Sequence, residues 1–447
     1  MTNHKSFLYL LSELEKTITI DKQAFISSFN LPISTSIKLN KNKKQNVNYL
    51  FDLSEKVLWC EDAYYLNERP EFFSDPLLYA GAYYVMDASS MFLEYILACL
   101  KIPKDAFILD IAAAPGGKSV IINNYLNTEG LLWSNEYQYG RAKILDFNLA
   151  KWGNCNHLVS SASTEKFSAL NELFDVVVCD APCSGSGLFR KYPDWINSFN
   201  SSLVYQCSIR QKEILKNIFS SIKENGYLIY STCSYMPQEN EEIAAFIIQN
   251  GFEEVKINTP ETWNVFASQY GYRFFQHLTK AEGFYYAIFQ KKQSTAITNT
   301  TSSKSIDWTI IQHDVSELMN IPNNHALIKY KEKVFLVNQA VCNIKTTLYK
   351  QFNFLSLGAC LYNAKKNTPE PEMALSLYLS DNIKKIELTL QDAQKYLQKQ
   401  NIHLSAPKDI YLMTYQNLGL GWAKILDNRV NNYYPNEWRI LSDIKPN

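Results

Sequence analysis

From Phe107 onward, short apolar runs and helix-length segments take turns. Phe107–Ile111, Leu131–Trp133, Phe174–Cys179 and Tyr227–Tyr230 read as strands, and Ser119–Leu126, Tyr139–Ala150, Leu203–Ile222 and Glu239–Ile248 read as helices. Nearly unbroken apolar strands suit a sheet buried on both faces, and regular strand–helix alternation suits parallel pairing. Residues 76–292 are therefore expected to form an α/β domain with a parallel sheet covered by helices on both sides. Residues 1–75 read as a small α/β module. Residues 293–305 (QSTAITNTTSSKS) are polar and Ser/Thr-rich and read as a linker. Residues 306–447 are expected to hold one or two further small domains, with strand-like runs such as Val334–Val337 between Gly and Asn turns. No internal repeat is visible.

Composition narrows the class. The 447 residues are 46% hydrophobic and 20% charged, as in soluble globular proteins. Met1–Lys16 reads as an amphipathic helix that carries Glu13 and Glu15, not as a signal peptide. No run approaches the roughly 18 apolar residues of a membrane span. Nine cysteines show no metal-ligand spacing, so no metal is expected and reduced cytosolic thiols are. Basic and acidic side chains balance at 44 each, which weighs mildly against a general polyanion binder. Lys38, Lys41, Lys43 and Lys44 form a local basic run, read evenly as a solvated loop or a phosphate contact.

The segment Leu109–Ser119 (LDIAAAPGGKS) joins the first strand to its helix, where open α/β sheets bind ligands. Gly116 and Gly117 let a ligand approach the backbone closely. A phosphate loop would need glycine at position 112, which is Ala112, and the dinucleotide pattern G-x-G-x-x-G is absent. That leaves S-adenosyl-L-methionine, whose methyltransferases use a short small-residue loop here. Glu136, after the second strand, is placed to accept ribose hydroxyl protons.

Two cysteines follow strands downstream, in Pro182-Cys183 and Thr232-Cys233. Carbon 5 of a pyrimidine is a poor nucleophile. A thiolate added at carbon 6 turns the ring into an enamine that is nucleophilic at carbon 5. Asp180, three residues before Cys183, can contact ring nitrogen 3 and make carbon 6 more electrophilic. A second base must then take the carbon 5 proton before the sulfur leaves, and Cys183 fits that task. Lys118 can add positive potential, or be a solvated lysine at a helix start. The other seven cysteines read as small core residues.

With these residues in view, the catalytic segment resembles the RNA 5-methylcytosine methyltransferases of the NOL1/NOP2/Sun type over about residues 30–292. The matching segments are Asp110–Lys118 (DIAAAPGGK), Asp180–Gly185 (DAPCSG) and Ser231–Glu239 (STCSYMPQE). Tyr83-Tyr84, Ala88–Met91, Arg190-Lys191, Arg210-Gln211 and His277–Phe284 add to them. The resemblance implies a Rossmann-like methyltransferase core with an N-terminal RNA-binding module. It implies Cys233 as nucleophile and Cys183 as release residue. It also implies cofactor contacts from Ala112, Ala113, Ala114, Pro115, Gly116, Gly117, Lys118, Glu136, Arg141 and Asp180. Two departures stand out: Ser163 occupies the position where the family has an acidic group for the adenine amine, and Lys38 stands for an arginine.

Leu357-Gly358, Pro369–Pro371, Ala374–Leu377, Asn417–Lys424 (NLGLGWAK) and Asn432–Pro435 resemble the C-terminal region of the bacterial ribosomal members, which ends in a PUA-like RNA-binding module. This implies a cytosine of 16S rRNA in the small ribosomal subunit as target; a monomer is a separate expectation. The same chemistry on tRNA, and a non-catalytic RNA-binding assembly factor, are the alternatives. Tyr433 and Tyr434 suit either stacking on RNA or, slightly better, closing a small β-barrel.

Overall fold

The chain is described here from a computed structural model covering residues 4–292, 307–312, 314–344, 352–365, 368–427 and 429–444. The expected linker at 293–305 lies outside the described residues. The N-terminal sheet is formed by β1 (Thr35–Leu39), β2 (Leu53–Lys56), β3 (Ala63–Leu66) and β4 (Tyr83–Val85), in the order β2-β3-β1-β4. Its last strand lies beyond residue 75, because Tyr83–Val85 pairs with Ile37–Leu39.

The main sheet contains β5 (Phe107–Asp110), β6 (Leu131–Asn135), β7 (His157–Ser161), β8 (Phe174–Asp180) and β9 (Ile222–Thr232). These five run parallel in the order β7-β6-β5-β8-β9. Strand order therefore reverses between β5 and β8, and the carboxyl ends of these two strands open a ligand crevice. The remaining strands β10 (Phe252–Glu254), β11 (Phe266–Ala267), β12 (Tyr272–Phe274) and β13 (Phe284–Lys291) extend the sheet antiparallel beyond β9. Successive strand residues bury on opposite faces. Leu109, Leu131, Trp133 and Val177 pack on one side, and Ile108, Leu132, Val176 and Val178 on the other.

The far edge carries a strand that composition assigns elsewhere. Asn353–Leu357, from the C-terminal region, pairs antiparallel with β7. Its neighbour Phe352 packs edge-on and its own Phe354 tilted against Trp133 of β6, with ring centroids 4.9 and 5.3 Å away. Near the C-terminus, Lys385–Glu387, Ile410–Tyr415, Leu418–Ile425 and Val430–Asn432 form a four-stranded sheet beside the helix Leu390–Leu397. Tyr434 is buried there against Tyr396, while Tyr433 keeps 37% of its surface exposed. Ile37, Leu39 and Tyr83 of the N-terminal sheet share one core with Tyr396, Met413 and Leu420 of this module.

The basic run is tied down by internal partners, with Lys38 and Lys43 buried and Lys41 and part of Lys44 facing solvent. Lys38 pairs with Glu94 at 2.7 Å, and Lys44 with Asp62. Lys41 donates to the Asn124 carbonyl. Lys43 donates to the carbonyls of Ala80, Lys151 and Leu375, which ties the N-terminal, catalytic and C-terminal regions together. No helix among the described residues is long and apolar enough to cross a membrane.

Candidate active site

The site begins with a register. In the parallel β8–β9 pair Asp180 lies opposite Ser231. The two chains thus leave the sheet side by side, and Cys183 and Cys233 come three and two residues later. Their sulfurs are 3.1 Å apart, with both cysteines free. Ser231 Oγ donates to Asp180 Oδ1 at 2.8 Å, and the Lys118 ammonium lies 2.8 Å from Asp180 Oδ2. Lys118 is no solvated lysine: 6% of its side chain is exposed, and it sits 4.5 Å from the Phe284 ring centroid. Contact with the Cys233 sulfur, then burial, holds the Cys183 thiol well above its ordinary value. Either sulfur can be the donor across this contact.

A carboxylate that the sequence reading leaves aside holds both loops. Glu239 accepts from the Ser184 amide at 2.7 Å, from Ser184 Oγ and Ser234 Oγ at 2.5 and 2.6 Å, and from Gln211 Nε2 at 3.4 Å. Burial raises its pKa. Its sequence signal is its place at the end of the Ser231–Glu239 segment. The Cys233 carbonyl accepts from the Gly187 amide at 2.9 Å, and the Gly187 carbonyl accepts from Gly283 at 3.0 Å. A β-carbon on Gly187 would lie 2.2 Å from the Gly283 carbonyl oxygen, so only glycine fits there. Of the seven cysteines read as core, Cys99, Cys207 and Cys342 are only half-buried, and burial followed by Glu239 pushes the Cys207 thiol up to about 11.

The small-residue loop after β5 bends into the helix Gly117–Tyr125 through Gly116, whose φ of 117° only glycine adopts easily. Asn135 stitches the strand ends, donating to the Ile111 and Ala162 carbonyls while its own carbonyl accepts from the Ala113 amide. Asn148 holds the loop from behind through the Pro115 carbonyl. Arg141 donates to the Ala114 carbonyl at 2.7 Å and lies 3.6 Å from the buried Glu136 carboxylate. Ser163 begins the turn Thr164–Ala169, and a hydrogen bond from Ser163 lowers the pKa of the exposed Glu165. Glu165 is thus an acidic group close to the position where the resemblance expects one. Asp110 Oδ2 accepts from Ser119 Oγ at 2.7 Å, while its buried Oδ1 has no partner. The site therefore combines a cradle of small residues, an acidic side chain at each of three strand ends and an orphaned Asp110 oxygen. This donor set fits S-adenosylmethionine, with its amine, ribose hydroxyls and adenine.

Outside this site, Cys360, Glu370 and Glu372 bring possible ligand atoms within 4.8 Å of one another. The Lys333 ammonium, 2.9 Å from Glu370 and 3.8 Å from Glu372, is the cation they hold.

Residues 97–290 match the family described as 16S rRNA methyltransferase RsmB/F. Residues 8–88 match the N-terminal domain of 16S rRNA methyltransferase RsmF, and residues 383–440 the methyltransferase RsmF PUA domain. The chain carries, at residues 97–290, a domain of the RsmB/F methyltransferase family. It is an RNA methyltransferase with a Rossmann-like core and a C-terminal PUA domain. The match at residues 8–88 takes in β4, in step with its pairing to β1. Relatives named ribosomal RNA small subunit methyltransferase F agree along nearly the whole chain. One from Escherichia coli O157:H7 is 26% identical over 97% of this chain and 95% of its own. One from Shewanella piezotolerans is 28% identical over 92% of each. Among solved structures, a methyltransferase homolog protein from Pyrococcus horikoshii shares the fold with a TM-score of 0.55, at 22% identity, over 64% of this chain and 98% of its own. NSun6 from Pyrococcus horikoshii with SFG gives 0.54 at 16% identity, over 65% and 98%.

Proposed function

We propose that this chain methylates carbon 5 of a cytosine in 16S rRNA, using S-adenosylmethionine and a transient bond from Cys233 to carbon 6. The observation that carries the reading is the pair of thiols 3.1 Å apart at the ends of β8 and β9, beside the Lys118–Asp180 pair. Ala112–Lys118, Asp110, Glu136, Arg141, Ser163 and Asp180 would hold the cofactor, which supplies an electrophilic methyl group when bound. A structural neighbour is titled as containing SFG, a cofactor analogue, which supports that choice.

The residues divide the work as follows. Cys233 reacts as its thiolate, and the Cys183 sulfur lies beside it within hydrogen-bond reach. Cys233 Sγ adds to carbon 6, and the ring electrons move to carbon 5, which would take the methyl group as the sulfur–methyl bond broke and its electron pair neutralised the sulfonium. The Lys118–Asp180 pair offers an acceptor for the exocyclic amine and a proton donor for the nitrogen 3 edge. Once Cys233 is a thioether it has no proton to share with Cys183, whose sulfur lies 3.1 Å away. Cys183 can then lose its own proton to solvent and take the one on carbon 5. The Sγ–C6 bond breaks, and Cys233 leaves as a thiolate.

Labelled-methyl transfer to small ribosomal subunits, naked 16S rRNA and tRNA tests substrate and mechanism together, with the modified cytosine mapped. Cys233→Ser should abolish transfer. Cys183→Ser should trap a protein–RNA adduct that survives denaturation. An adduct formed with Cys233 replaced and Cys183 intact would reverse the two roles, and methylation of tRNA alone would reject the substrate.

A further inference from the structure

Beside the Cys183 loop stands an aromatic pair that the chemistry above does not use. Tyr192 and Trp195 are exposed by 40% and 44%. Their rings are stacked, with centroids 4.6 Å apart and planes 19° from parallel. The backbone fixes this arrangement. The Trp195 amide donates to the Tyr192 carbonyl at 3.1 Å on entry to the 3-10 turn Pro193–Asn197, and side chains three apart in such a turn eclipse one another. Trp195 covers Gly185, two residues after Cys183. A β-carbon there would lie 2.9 Å from the indole, so glycine lets the ring close down on the thiol loop. Below the pair, Arg190 and Glu282 form a buried ion pair at 2.8 Å that anchors the segment. The Lys191 ammonium lies 5.5 Å from the Tyr192 centroid.

We infer that Tyr192 and Trp195 are a stacking platform for an unpaired RNA base next to the target cytosine. This rests on the reading of the site as an RNA cytosine methyltransferase. Chemistry at carbon 6 requires the target base to leave its stack, and its neighbours then lose a stacking partner. Two rings held rigid beside the reacting thiols replace that partner at little entropic cost, because turn and glycine pack them in advance. Every base has a π face, so the platform accepts any neighbour, and Lys191 supplies a cation for the adjoining phosphate.

The test uses the full-length protein and an RNA oligonucleotide carrying the mapped cytosine, with an abasic site at one or the other neighbouring nucleotide. Trp195→Ala and Tyr192→Ala should each raise KM for the intact RNA about 5- to 100-fold, the range expected for one lost base–aromatic stack, with kcat within about two-fold. Trp195→Phe should restore most of the loss. An abasic site at the stacked neighbour should raise the wild-type KM similarly, and Trp195→Ala should add little on that RNA. Unchanged KM in both alanine variants overturns the proposal, as do ring and base effects that multiply. Calorimetric S-adenosylmethionine affinity and the melting temperature report folding. Should Trp195→Ala misfold, Tyr192→Ala and the wild-type response to abasic RNA still decide, since indifference to both abasic sites overturns it. A wild-type protein that methylates no RNA instead removes the reading of the site itself.

Discussion

Asp110 is wholly buried, with one oxygen bonded to Ser119 and the other unpartnered. Burial pushes its pKa from an ordinary 3.8 up to about 7. The folded chain therefore keeps a proton that the unfolded chain releases between about pH 4 and pH 7. The sign follows: stability fully present below the unfolded pKa is lost as pH rises through 7, by an upper limit of about 4 kcal/mol. Asp110→Asn should flatten the fall in melting temperature between pH 5 and pH 8, whatever constant cost its new amide imposes. Melting curves of the two proteins across that range, without cofactor, check this; equal slopes reject it. Side chains of this kind are only half legible in sequence. The segments around Lys118, Asp180, Cys183 and Cys233 mark their chemistry before any coordinates are seen. The lysines at 38, 41, 43 and 44 do not, because what holds them is distant: the Glu94 carboxylate for Lys38 and the Leu375 carbonyl for Lys43.

At the level of elements, the site is two strand ends and the loops that leave them. Parallel register sets Asp180 beside Ser231, and Glu239 then fastens the loop of Cys183 to the loop of Cys233. Glu239→Gln leaves one acceptor oxygen where there were two: placed where Oε2 faces both hydroxyls, it costs the Ser184 amide its acceptor, and placed the other way round it costs the Ser184 and Ser234 hydroxyls theirs. The expected result is a loss of about 1–3 kcal/mol in unfolding free energy. A lower kcat should accompany it, with S-adenosylmethionine affinity retained, because the cofactor loop follows a different strand. Denaturant titration and steady-state kinetics measure both, and a fully active variant of wild-type stability contradicts the role. Apolar runs mark β5, β6, β8 and β9 clearly, since strands buried on both faces carry little else. Asn353–Leu357 carries no such mark. Its strand state depends on pairing with β7 and packing near Trp133, which is tertiary context. The same distance hides Glu239, whose partners Ser184 and Gln211 belong to other elements.

Across the whole molecule, the catalytic sheet is not a separable unit. Phe352 and Phe354 join Trp133 and Phe167 in one core, and Trp308, Phe335 and Val337 extend it. Asn338 donates to the Thr128 and Gly130 carbonyls just before β6. Ending the chain at residue 292 would strip these contacts, although the Ser/Thr-rich run that follows looks like a natural place to cut. Each buried phenylalanine lost removes about 1.5–3 kcal/mol of apolar stabilisation. The cut also leaves β7 an unpaired edge, a template for association with other chains. The 1–292 fragment should therefore melt below the full chain and associate at micromolar concentration, even though it retains every proposed catalytic residue. Thermal melts and size-exclusion chromatography of the two proteins decide the matter. A monomeric fragment with the full-length melting temperature would mean that the C-terminal strand only leans on the sheet. A destabilised, associating fragment means that the methyltransferase core depends on the C-terminal region to fold.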